Sequence, residues 1–200
     1  MNVAIFFTFL RLVIVPLFPC IYLQYSWFGI SEKWMPLFLL LVLFICEMSD
    51  VIDGFLARRR KIVTDLGKIL DPMADSITHI LVFFTFTQGV IKIPLLLVFV
   101  FLYREFFIAT LRTLCALKGI ALAARKSGKI KAIMQAVVSF IIIMLLGFYE
   151  LKWINFSFLQ NVSLILTSLA AIYAVISALE YIYVNWDYIK RALSTDSNNL

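Results

Sequence analysis

Six largely apolar stretches, near residues 7–28, 35–57, 68–90, 93–116, 129–149 and 157–186, follow one another with only short breaks. Each reaches the roughly 20 residues that a helix needs to cross a bilayer. In lipid every backbone N–H and C=O must be satisfied within the segment or in a closed barrel, and runs of this length form helices. Composition agrees: 63% of the 200 residues are apolar and 15% are charged, against roughly 45–50% apolar in a soluble domain. A soluble chain of this size could not bury that much apolar surface. The expected fold is all-α and polytopic, with six transmembrane helices in one membrane domain over residues 1–190. A polar tail, 191–200, is expected to be disordered. The run at 7–28 is read as the first span, because no basic residue precedes Arg11 and no small-x-small cleavage site follows.

The charges give this arrangement a side. Arg58, Arg59, Arg60, Lys61 and Lys68 follow the second run, and Lys118, Arg125, Lys126, Lys129 and Lys131 follow the fourth. Lys190 and Arg191 follow the sixth, for twelve in all, whereas the opposite loops carry only Lys33, Lys92 and Lys152. Basic loops stay in the cytoplasm, so both termini are expected there, which an even number of spans requires. The expected location is the inner (cytoplasmic) membrane. The net charge of +6 is then directed at an anionic leaflet and not at nucleic acid. Cys20, Cys46 and Cys115 lie inside apolar runs without metal-ligand spacing, and His79 is the one histidine. This excludes His-rich metal sites.

The most informative stretch is SDVIDGFLARRRKIVTDLGKILDPMADS, residues 49–76. Carboxylates are costly in a membrane and mark function there. Asp50 and Asp53, near the end of the second run, are three apart, and Asp71 and Asp75, near the start of the third, are four apart. Either spacing puts both members on one helix face. Antiparallel neighbours joined by a short basic loop bring the two acidic faces to the cytoplasmic end. Four close carboxylates repel one another unless cations intervene, and all-oxygen ligation suits Mg²⁺, Mn²⁺ or Ca²⁺. Gly54, Ala57 and Gly67 leave room for a bulky ligand, and Arg58 offers a donor fork suited to phosphate. Together they describe phosphoryl or phosphatidyl chemistry. Plainer readings exist for each residue alone. Asp53-Gly54 is a turn signal, Asp71 with Pro72 is a helix cap, and Arg58 to Lys61 is a topology signal. All of them holding together by coincidence is a poor account of the spacing.

The pattern Asp50-x2-Asp53-Gly54-x2-Ala57-Arg58-x8-Gly67-x3-Asp71-x3-Asp75 resembles the full signature of the CDP-alcohol phosphatidyltransferase family. The resemblance implies a homodimer of six-helix subunits with two divalent cations, Mg²⁺ or Mn²⁺, at a site open to the cytoplasm. Asp50, Asp53, Asp71 and Asp75 would bind the metals, and Asp75 would act as general base. Gly54, Ala57, Arg58, Thr64 and Gly67 would lie against a CDP-activated lipid such as CDP-diacylglycerol, with CMP as the leaving group.

Within the family, Gly67-Lys68-x2-Asp71-Pro72-x-Ala74-Asp75, Arg104-Glu105, Leu111-Arg112 and Ser127-Gly128-Lys129-x-Lys131 are similar to the phosphatidylglycerophosphate synthases, which use glycerol 3-phosphate as acceptor. The acceptor's own phosphate needs cations, for which Arg112, Lys129, Lys131 and Arg104 are the candidates. For Arg104 a pair with Glu105 competes with that role. Two positions depart from the pattern. Ser76 stands where these synthases usually carry lysine, and Thr8-x2-Arg11 lacks the asparagine that commonly precedes such a threonine. The alternatives are the same chemistry on inositol, inositol phosphate or serine and, more remotely, a cation transporter. Transporters place their sites near the midplane of repeated, broken helices, whereas these acids cluster at one edge and no repeat is visible.

Overall fold

The computed structural model describes the backbone of residues 3–60, 65–119, 122 and 125–193, and their side chains apart from those of 3–7, 50–51, 53–60, 65–69, 71, and 191–193. All regular structure among these residues is helical: α1 (Val3–Ile14), α2 (Leu17–Gln24), a 3₁₀ turn (Tyr25–Phe28), α3 (Met35–Arg60), α4 (Asp65–Phe86), α5 (Leu95–Leu117), α6 (Lys126–Glu150), α7 (Phe156–Val184) and α8 (Trp186–Leu193).

The first apolar run is not one helix. It bends at Val15-Pro16, where α1 ends and α2 begins, because proline lacks the N–H that an unbroken helix would use. Among the described residues three helical segments are long and apolar enough to cross a membrane: Thr8–Phe28, Lys126–Glu150 and Phe156–Val184. Two shorter apolar helices are Met35–Ser49 and Pro72–Phe86. They are the apolar halves of α3 and α4, and the polar halves flank residues 61–64 at one end of the molecule. A helix rises about 1.5 Å per residue, so the 26 residues of α3 reach ~39 Å. That exceeds the hydrocarbon thickness and lets the acidic end stand clear of it. Helix α5 carries Arg104, Glu105 and Arg112 within its 23 residues, which explains why its apolar character is diluted.

Among the described residues the segments pack in a closed order. Helices α1 and α2 lie against α3, α3 against α6, α6 against α7, α7 against α5, α5 against α4, and α4 back against α1 and α2, while α4 also touches α6 across the ring. Burial is inverted relative to a soluble protein. Leu164, Ile165, Leu169, Ile172, Ile176 and Leu179 of α7 are exposed, whereas Thr8, Arg11, Thr78, His79, Lys131, Gln135, Ser139, Ser163 and Thr167 are buried. Apolar outside and polar inside is the pattern expected where lipid is the solvent.

The end away from the acidic stretch is packed with aromatic rings. Phe86 meets Phe18 and Phe83 edge-on, at centroid separations of 5.8 and 6.1 Å. Beside them the Tyr22 hydroxyl accepts from the N–H of Val90 and of Ile91 at 3.2 and 3.3 Å and donates to the Gln88 carbonyl at 3.1 Å. Gly89 makes this turn possible: its φ is +65° and a Cβ there would fall 2.7 Å from the tyrosine ring. Helix α4 therefore ends at Phe86, short of the expected 90. At the other end it starts at Asp65 and runs through Pro72, so Asp71 is inside the helix and does not cap it. Beyond the sixth run α8 is an additional short helix, anchored by buried Ile189.

Candidate active site

The backbone brings the signature to one end of the bundle. Asp50, Asp53, Gly54, Ala57 and Arg58 lie on the last turns of α3, and Gly67, Asp71 and Asp75 lie on the first turns of α4. The side chains of all but Asp75 fall outside the described residues, and Thr64 falls outside them altogether.

Asp75 is the described member. Its side chain retains 27% exposure, and its Oδ1 is 3.4 Å from His79 Nδ1 and 4.0 Å from Arg11 NH1. His79 lies one turn along α4, and its Nδ1 also meets the Asp75 carbonyl at 2.9 Å. Its Nε2 faces Glu47 Oε1 at 3.5 Å. Arg11 comes from α1 and Glu47 from α3, so the cluster is assembled by α1 packing against both α3 and α4. Arg11 and His79 are almost fully buried, at 2% and 3% exposure. Charges so placed in a low-dielectric interior are tolerated only when compensated.

A second cluster adjoins the first through Ser76. Its hydroxyl donates to Glu105 Oε2 at 2.9 Å. Glu105 Oε1 accepts from Arg104 NH1 at 2.9 Å and from Lys131 Nζ at 2.5 Å. Arg104 NH2 donates to Ser177 Oγ of α7 at 3.3 Å. Glu105 thereby ties α4, α5, α6 and, through Arg104, α7. Gly128 lies beside this arginine, and a Cβ there would fall 3.6 Å from Arg104 NH2.

The four expected acceptor-binding cations are distributed unevenly. Arg104 and Lys131 are buried and held by Glu105. Arg112 donates from Nε to the Tyr181 hydroxyl at 3.2 Å, with its guanidinium carbon 5.3 Å from that ring's centroid. Lys129 is exposed on the first turn of α6. Arg104 and Lys131 join the Asp75 end through Glu105, which accepts from Ser76, while Arg112 lies about two turns further along α5 and Lys129 at the start of α6. Arg11, Glu47, His79 and Ser177 complete the surroundings. Of these, the sequence marks only the Thr8-x2-Arg11 spacing and His79, the one histidine. The signal was present in one form: Glu47 is a carboxylate set inside the apolar run LFICEM, a placement that needs a partner.

Among the described residues no group of three His, Cys, Asp or Glu side chains forms a metal-ligand set, and Asp50, Asp53 and Asp71 are not among those side chains. The donor chemistry nonetheless fits hard divalent cations. All four signature residues offer carboxylate oxygen, and Asp75, the one described, is partly open and turned into a polar interior.

Comparison with known proteins agrees with this geometry. The family described as CDP-alcohol phosphatidyltransferase matches residues 1–177. Over 189 residues the chain is 29% identical to the CDP-diacylglycerol–glycerol-3-phosphate 3-phosphatidyltransferase of Bacillus subtilis (strain 168), covering 92% of this chain and 94% of the relative. The protein of the same name from Haemophilus influenzae is 29% identical over 189 residues, with 92% of each chain covered. That from Rickettsia bellii is 30% identical over 143 residues, or 70% of this chain and 75% of the relative. With a signature complete at every position and a match over nearly all of its length, this chain belongs to the CDP-alcohol phosphatidyltransferase family.

Proposed function

We propose that this enzyme transfers the phosphatidyl group of CDP-diacylglycerol to glycerol 3-phosphate, releasing CMP. The observation that carries the reading is the placement of the complete aspartate signature at one end of α3 and α4, with the Asp75 carboxyl partly open beside buried cations. The relatives' printed names supply the acceptor. In this reading the acceptor hydroxyl oxygen attacks the phosphorus of the phosphatidyl group. The bond from that phosphorus to the CMP oxygen breaks, and Asp75 takes the hydroxyl proton. Gly54, Ala57, Arg58, Thr64 and Gly67 would receive the CDP moiety. Asp50, Asp53, Asp71 and Asp75 would hold two divalent cations, Mg²⁺ or Mn²⁺. Such ions would neutralise the carboxylates and the pyrophosphate charge.

Arg112 and Lys129 are the acceptor-phosphate ligands least committed to carboxylates, while Lys131 and Arg104 would reach the phosphate as part of the Glu105 cluster. The same reading takes α1–α2 together with α3 to α7 as six spans, with both termini in the cytoplasm of an inner-membrane protein. It takes 1–190 as the catalytic domain, 191–200 as a tail, and the working form as a homodimer. Product chromatography after incubation with CDP-diacylglycerol and each of glycerol 3-phosphate, inositol, inositol phosphate and serine tests the acceptor. A lipid bearing a second phosphate, formed from glycerol 3-phosphate and not from the others, is the expected product. Turnover with inositol or serine in its place would replace the assignment.

A further inference from the structure

The cluster behind Asp75 contains more than a general base requires. His79 is buried and has no role in the transfer as derived, and Glu47 is a second carboxylate directed at it from another helix. We infer that His79 and Glu47 are a positioning pair that fixes the Asp75 carboxyl in the orientation from which it accepts the acceptor's proton. This rests on the reading of Asp75 as the base.

The hydrogen bonds set the direction of the pair. Nδ1 of His79 lies 2.9 Å from the Asp75 carbonyl oxygen and 3.4 Å from Oδ1 of the same residue. A carbonyl oxygen only accepts, so Nδ1 carries a proton and donates to it. The same N–H is directed at the carboxylate beside it. Nε2 then faces Glu47 Oε1 at 3.5 Å. No hydrogen bond joins the two atoms at this separation, so Glu47 bounds the ring from the α3 side by close approach. The ring is therefore held by α4 at Nδ1 and approached by α3 at Nε2. Burial and these two neighbours restrict its plane, and with it the direction of the Nδ1–H. Arg11 NH1, 4.0 Å from the same Oδ1, adds attraction from α1. With Oδ1 engaged on the buried side, rotation of the carboxyl about its Cβ–Cγ bond is restricted and the other oxygen is presented to the site. Orientation of this kind affects the rate of the chemical step more than the binding of either substrate.

The arrangement spans two helices, so the test is a double-mutant cycle on the full-length protein in detergent or nanodiscs. The measurements are kcat and the two KM values for CMP release from CDP-diacylglycerol and glycerol 3-phosphate. His79→Leu removes the donor and is expected to lower kcat by about 10- to 100-fold, with both KM values within about threefold of the parent. His79→Asn keeps an N–H near the position of Nδ1 and is expected to recover most of that loss. Glu47→Gln is expected to lower kcat several-fold in the parent and to have no further effect in the His79→Asn background, because Glu47 acts only through the ring. Additive effects of Glu47→Gln and His79→Asn, or a fall in stability with kcat preserved, would overturn the pair. Where His79→Leu fails to insert, the His79→Asn and Glu47→Gln arms decide the matter by themselves. An active parent with unchanged variants rejects the pair alone. An inactive parent rejects the reading of the base and the pair with it.

Discussion

At the level of single residues, Asp75 is the side chain on which the proposed chemistry turns, and its surroundings are compatible with that role. It is flanked by Arg11 and His79 on the buried side and keeps 27% exposure on the other. Asp75→Asn preserves the size of the side chain and one oxygen but cannot take a proton at neutral pH. Transfer is expected to fall by about 10²–10⁴-fold, with CDP-diacylglycerol binding retained, since the proposed cytidine and pyrophosphate contacts are those of Gly54, Arg58 and the remaining aspartates. Single-turnover CMP release and equilibrium binding of the CDP-lipid measure the two quantities, and near-parent turnover would remove Asp75 from the base role. The signature was legible in the sequence because ionised residues in apolar runs are rare and the spacings of 3 and 4 obey the helix period. The Arg11–Asp75–His79–Glu47 cluster was not legible. Its members are joined by α1 packing against α3 and α4, and a lone Glu47 or His79 in an apolar run carries no spacing that names its partner.

At the element scale, the expected runs became helices with ends set by local chemistry. The break at Val15-Pro16 and the end of α4 at Phe86 moved the boundaries, and both follow from residues that sequence reading passes over. Pro16 lacks an N–H, and Gly89 adopts a positive φ against the Tyr22 ring. Helix α8 was missed because eight residues are too few to establish a period of 3.6. The Tyr22 hydroxyl is the main polar tie between α2 and the turn after α4, since it receives two backbone N–H groups and donates to a carbonyl. Tyr22→Phe strips the acceptor from those two N–H groups in a part-buried site. It is expected to cost about 1–3 kcal/mol, read as a lower melting temperature in detergent, with kcat near the parent because the tie is at the end of the bundle away from Asp75. An unchanged melting temperature would mean that other groups satisfy the turn.

At the scale of the whole molecule, the acidic halves of α3 and α4, the Glu105 cluster and the basic first turn of α6 all gather at one end. The outer surface along the helices is apolar. In the proposed topology anionic substrates would approach that end from the cytoplasm, where basic loops are retained. In a variant with Cys20, Cys46 and Cys115 replaced, single cysteines at Ser31 and Asn155 are expected to react with an impermeant thiol reagent from outside the cell. Those at Lys118 and Lys126 are expected to react only after permeabilisation. Reaction at 118 or 126 in intact cells would invert the topology and place the acidic end on the wrong side for a cytoplasmic nucleotide.

A metal-supported phosphatidyl transfer to glycerol 3-phosphate leaves two products that one assay can count. Purified protein is given CDP-diacylglycerol and glycerol 3-phosphate labelled in its phosphate, and CMP and lipid-borne label are counted together with and without EDTA. Such a transfer puts one labelled phosphate into lipid for each CMP released, with loss of both under EDTA and recovery of both on adding excess Mg²⁺ or Mn²⁺. CMP released without label entering lipid, or transfer that persists under EDTA, would contradict it.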